Sequence, residues 1–96
     1  MVLEVADIHV SAGSEQDFIA AYRGAREVLA TTPGCHSVRM NQCVETPTRF
    51  VLLVEWDSVD AHEENFRGSD RFSAWRSAIG PFFAQPPHVE HVVSVE

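Results

Sequence analysis

No apolar run in the chain approaches the roughly 20 residues that a membrane-spanning helix needs, which argues against a helical span. Positive charge is scarce as well: seven Lys and Arg face fourteen Asp and Glu, for a net charge of −7. A surface of that sign repels phosphate backbones and anionic lipid, so neither nucleic acid nor membrane is expected as a partner. There are only two cysteines, Cys35 and Cys43, and they share one extended segment. That spacing corresponds to roughly 26 Å at about 3.3 Å per residue. A disulfide needs Cα atoms within about 7 Å, so both are expected as free thiols. Without a CxxC pair, a zinc knuckle or thioredoxin-like site is not expected. The opening MVLEVADIHV lacks the charged and apolar regions of a signal peptide, and a cytoplasmic location is the expectation.

What is present describes one small globular domain over residues 1–96, with 45% hydrophobic and 22% charged residues. Residues 2–10 are apolar and β-branched, as a strand requires. Ser14 and Asp17 form a capping-box-like start, and Phe18, Tyr22, Ala25 and Leu29 then recur on one helical face. Thr32-Pro33-Gly34 stops that helix. Residues 36–44 and 49–56 read as strands joined by the turn Glu45-Thr46-Pro47-Thr48. A second helical region begins after Asp57-Ser58 with Val59, His62 and Phe66 on one face. Gly68 interrupts it and Ser69 caps its continuation, whose stripe is Phe72, Trp75, Ile79 and Phe82. Pro86-Pro87 closes the region, and residues 88–95 form a last strand.

The order βαββαβ, with a broken second helix, predicts a ferredoxin-like α+β sandwich with a four-stranded antiparallel sheet. Its helices can cover one sheet face, yet the strands are apolar at both parities. In 49–56, Val51 and Leu53 oppose Phe50, Leu52, Val54 and Trp56. In the first strand, Leu3 and Val5 oppose Val2, Ala6, Ile8 and Val10. A second copy of the chain, packed sheet on sheet, would cover the remaining face, so an obligate homodimer is expected.

Residues 50–83, FVLLVEWDSVDAHEENFRGSDRFSAWRSAIGPFF, resemble the antibiotic biosynthesis monooxygenase (ABM) family of dimeric α+β barrel proteins. The resemblance rests on Glu55-Trp56-Asp57-Ser58, Ala61-His62, Phe66-Arg67-Gly68-Ser69 and the aromatic second helix. Pro33-Gly34-Cys35 and the final Pro-Pro-His-Val-Glu-His, residues 86–91, also fit. It implies the fold above and a monooxygenase that works without cofactor or metal on a phenolic or polyketide-like aromatic. In that chemistry the deprotonated substrate itself supplies electrons to O₂. The protein supplies an apolar cage, a proton acceptor and oxyanion donors. A non-catalytic dimeric barrel binding a small apolar metabolite is the alternative.

His62 is the candidate base, since its ordinary pKa suits neutral pH and its helical face points inward. A structural histidine bonded to backbone, or one turned out beside Glu63 and Glu64, is the plainer reading. HEENF is no zinc motif, because Phe66 stands where a second ligand would be. The resemblance places Trp56 at the cavity border, where it either stacks on a planar substrate or plugs the sandwich end. Asn65 either orients His62 and donates to an oxyanion or is a solvated helix residue. Phe66, Phe72, Trp75, Phe82 and Phe83 form a substrate cage or simply core. His91 shares a strand face with Val89 and Val93, facing cavity or dimer interface, while His88 points to the opposite face. Asp7 and His9 share a parity and suit either a carboxylate–histidine pair or a place facing the dimer partner or the solvent end. Arg39 and Arg49 suit outer-face ion pairs or an anionic substrate, and Arg67 a loop anchor. In the haem-degrading branch the axial histidine stands where this chain has Arg76, which has no lone pair for iron, so haem degradation is disfavoured.

Overall fold

The computed structural model describes residues 1–96. The chain runs β1 (Val2–His9), α1 (Glu15–Ala30), β2 (Cys35–Gln42), β3 (Arg49–Trp56), a π-helical segment (Ala61–Arg67), α2 (Asp70–Ile79), a 3-10 turn (Gly80–Phe82) and β4 (His88–Val92). The strands form one antiparallel sheet in the order β2-β3-β1-β4, the expected ferredoxin-like βαββαβ arrangement. Strand alternation sorts the residues as the parity argument requires. Ala6, Ile8 and Val10, with Phe50, Leu52, Val54 and Trp56, bury against Phe18, Tyr22, Ala25 and Leu29 of α1 and Trp75 and Ile79 of α2. Both cysteines are free.

The outer sheet face carries Leu3, Val5, Val51 and Leu53, all half-buried, with Val5 directly opposite Leu53. Val92 lies at its edge and is more exposed. Asp7 and His9 lie on this face with Nε2 and Oδ2 3.5 Å apart, one of the two arrangements their parity left open, and Arg49 Nε donates to Asp7 at 2.8 Å. These polar groups frame the apolar centre of the sheet.

Local departures have local causes. Ser14 makes no side-chain cap, and the Glu15 carboxylate instead accepts from Gly13 N–H at 2.6 Å. Ser69 caps α2 as expected, accepting from Arg71 N–H at 3.3 Å. Val59 is exposed, not on the buried face with His62 and Phe66. It precedes a wide π-type turn, marked by Gly68 N–H donating to Glu63 C=O at 2.9 Å, in which residues three apart lose their common face. β4 ends at Val92, leaving Val93 and Val95 exposed.

The Pro33-Gly34 corner fixes how the π segment approaches the sheet. Gly34 sits at φ +90°, and a Cβ there would lie 2.8 Å from Ala61 Cβ. Its carbonyl accepts from Asp57 N–H at 2.9 Å. This close approach lets the helix that carries His62 pack directly after β3.

Candidate functional site

The site begins with a charged residue on the apolar side of β1. Glu4 shares the parity of Ala6 and Ile8, so the pleat turns its carboxylate inward, where the residue is 5% exposed. It lies opposite His91 across the β1–β4 ladder. The Trp56 indole N–H donates to Glu4 Oε1 at 2.9 Å. The π segment delivers His62, 2% exposed, with Nε2 3.3 Å from the same oxygen. Its other nitrogen, Nδ1, lies 2.8 Å from His91 Nε2. Trp56 is fully buried and stacks on His62, ring centroids 4.9 Å apart. Trp56, Glu4, His62 and His91 are therefore one connected polar chain inside an otherwise apolar layer.

Burial sets the charge of this chain. It raises the Glu4 carboxyl from its ordinary 4.5 to about 7, against the opposing pull of the Trp56 hydrogen bond and the Arg67 charge. It lowers His62 from 6.5 to about 4, helped by the charges of His91 and Arg67. Near neutral pH His62 is thus uncharged, and its 3.3 Å approach to Glu4 is a neutral polar contact, not an ion pair. The imidazole has two tautomers that suit these contacts. With Glu4 protonated, its carboxyl faces an unprotonated His62 Nε2, and His62 Nδ1–H donates to His91. With Glu4 ionised, the protonated His62 Nε2 faces the carboxylate, and His91 Nε2–H donates to His62.

Glu4 and His62 lie on the wall of a cavity of about 710 Å³. The rest of the wall includes Ala6, Ile8, Leu52, Phe66, Phe72, Trp75, Ile79 and Phe83, with Arg67, Arg76 and the 84–88 segment at the rim. Phe66 meets Phe72 and Trp75 edge to face, at 5.7 and 6.3 Å between centroids. The structure therefore brings together His62, Phe66, Phe72 and Trp75 among the residues singled out above.

Four others are placed differently. Trp56 lies behind His62 and presents no face to the cavity. His91 is half-buried behind the imidazole, not on the cavity wall. Phe82 packs 6.5 Å from Phe18 in the core, because α2 ends at Ile79 and the 3-10 turn through Pro81 breaks the helical spacing; Phe83 lines the cavity instead. Asn65 is exposed and donates to the Pro33 carbonyl at 2.8 Å, so it pins the corner and does not contact His62. Sequence reasoning missed Glu4, although an acidic residue at a strand parity of Val2, Ala6, Ile8 and Val10 was the available signal.

One combination has the spacing for a metal: His62, Glu63 and His91 offer ligand atoms within 4.8 Å of one another. The two imidazole nitrogens are already hydrogen-bonded to each other, so an ion would have to replace that bond.

A sequence model described as "Antibiotic biosynthesis monooxygenase" matches residues 1–78, most of the chain. The chain belongs to the ABM family. A Bacillus subtilis relative, the uncharacterized protein YczJ, is 35% identical over 95 residues, covering 99% of this chain and all of that protein. A crystal structure from Bordetella bronchiseptica, assigned by name to the antibiotic biosynthesis monooxygenases, superposes with a TM-score of 0.95. It is 40% identical, and the match covers 99% of this chain and 97% of that one. SnoaB from Streptomyces nogalater, described as a cofactor-independent oxygenase, shares the fold at 15% identity and a TM-score of 0.83, over 99% and 93% of the two chains. No helix of this ABM protein is long and apolar enough to cross a membrane.

Proposed function

We propose that this ABM protein is a cofactor-independent monooxygenase that oxidises a phenolic, polyketide-like aromatic with O₂. The observation that carries the reading is the pairing of Glu4 with His62 on the wall of an aromatic-lined cavity. Membership of the ABM family and the description of SnoaB as a cofactor-independent oxygenase agree with it.

The chemistry needs no reductant beyond the substrate. A phenol with a hydrogen on the para carbon becomes a quinone: one atom of O₂ becomes the new carbonyl oxygen and the other leaves in water. The base takes the O–H proton, and the phenolate passes one electron to O₂. Superoxide and the ring radical then join through a new C–O bond. The peroxide oxygen recovers the proton first removed. Loss of the ring proton with cleavage of the O–O bond yields quinone and water.

Glu4, at about 7, is matched to the first and fourth of these steps near neutral pH. His62, at about 4, is a weak base alone but positions Glu4 and moves a proton by exchanging tautomers. His91 forms the outer end of that relay. The base role assigned to His62 alone is thus shared with Glu4.

The same reading includes a homodimer packed through the outer sheet faces, where Leu3, Val5, Val51 and Leu53 would gain burial. A fold family closed by such pairing supports it.

Oxygen uptake and quinone absorbance with a phenolic dihydroanthraquinone-type probe test the reaction. Turnover is expected in metal-chelated, flavin-free buffer. Glu4→Gln and His62→Ala should lower kcat on the order of 10² to 10⁴-fold. Equal turnover by both variants overturns the base assignment, and no wild-type turnover of such phenols overturns the monooxygenase reading.

A further inference from the structure

The charges around the cavity run against the charge of the whole chain. Fourteen acidic residues outnumber seven basic ones, yet the charged side chains on the cavity wall are Arg67, Arg76 and a single carboxylate, the buried Glu4. Arg67 ends the π segment and Arg76 lies in the last turn of α2. Both guanidinium groups approach one ring: their central carbons are 5.3 and 5.9 Å from the centre of Phe72. The two cations share one aromatic ring, and little else neutralises them. Arg76 has no carboxylate partner, while Arg67 has only the exposed Glu63 at 3.9 Å. The field of Arg67 also reaches the inner end, where it disfavours the protonated forms of Glu4 and His62.

The cavity therefore has two unlike polar ends separated by aromatic wall. At the inner end stand the carboxyl of Glu4 and the imidazole of His62, 3.3 Å apart. At the rim, two guanidinium groups offer charge-assisted hydrogen bonds whose natural partner is a planar anion.

We infer that the ligand is a planar aromatic acid, its carboxylate seated between Arg67 and Arg76, its ring against Phe66, Phe72 and Trp75, and its hydroxyl directed to Glu4 and His62. The hydroxyl end rests on the phenol-oxidising reading, whereas the carboxylate seat rests on the arginines alone. A volume of about 710 Å³ suits a molecule of two or three fused rings.

The test compares 6-hydroxy-2-naphthoic acid with its neutral carboxamide, which has the same shape. Binding is measured by calorimetry and by quenching of tryptophan fluorescence, at pH 8 and low salt. The acid should bind about tenfold tighter than the amide, and the advantage should shrink as salt is raised. Arg76→Gln and Arg67→Gln should each weaken the acid about tenfold and leave the amide unchanged, with unaltered thermal midpoints showing that the variants fold. Equal affinity of acid and amide in the wild type overturns the seat, as does an advantage that survives in the double variant. Absence of saturable binding by both probes at millimolar concentration also overturns it. Oxygen uptake is scored separately, so tight acid binding without turnover refutes the monooxygenase reading and leaves the seat standing.

Discussion

Trp56 lies on His62 with their planes 17° from parallel, and its indole N–H reaches the same Glu4 oxygen that His62 meets. One side chain thus both orients the imidazole and supplies the hydrogen bond that favours ionised Glu4. A buried carboxylate with a single N–H donor and a neutral imidazole is poised between its two protonation states, as a general base requires.

Trp56→Phe keeps an aromatic ring against His62 and removes the donor. Glu4 should then titrate above its value of about 7, because a hydrogen bond that lowers it is gone. Stability should fall by about 1–3 kcal/mol, the usual loss for a buried hydrogen bond to such a group. Carboxyl carbon NMR on labelled Glu4 reads the shift directly, and an unchanged midpoint would contradict the hydrogen bond.

Unfolding free energy should depend on pH in two opposed ways. Glu4 holds its proton to about 7 in the folded chain but only to 4.5 ordinarily, so stability is lost as pH rises from 4.5 through 7. His62 resists protonation down to about 4, against 6.5 ordinarily, so stability is lost as pH falls from 6.5 through 4. Glu4→Gln should gain on the wild type with rising pH, on the order of 3 kcal/mol by pH 8. His62→Gln should gain on it as the pH falls to 4. Denaturant titrations across this range check both, and curves parallel to the wild type would refute the assignment.

The corner at Gly34 should tolerate no side chain. Gly34→Ala combines a left-handed φ of +90° with a Cβ 2.8 Å from Ala61, so a loss of about 1–3 kcal/mol is expected. Asn65→Ala should cost about 1 kcal/mol through its bond to the Pro33 carbonyl and leave turnover per folded molecule intact. Thermal melts and specific activity measured together separate this pinning role from a catalytic one.

Charging the outer sheet face should dissociate the proposed dimer. Leu53 lies directly opposite Val5, so Leu53→Glu places a carboxylate at the apolar centre of that face. Sedimentation should report a species near twice 10.7 kDa for the wild type and a shift toward 10.7 kDa for the variant. A folded wild-type monomer at micromolar concentration would remove the sheet-on-sheet arrangement.

The amino-acid order alone was enough for the element sequence, the antiparallel sheet and the inward faces of β3 and α1. Those features follow from periods of two and 3.6 residues, which are local properties of the backbone. The same logic placed His62 and Phe66 inside and the Ser69 cap at the start of α2. It failed at Val59 and Phe82, where a π turn and a 3-10 turn replace regular helical spacing, while Asn65 is exposed, as the plainer reading had it. Only the tertiary structure joined Glu4 to His62, Trp56 and His91, residues carried by β1, the π segment, β3 and β4. The depth of their burial, which sets the proton affinities of Glu4 and His62, comes from the packing of helix on sheet.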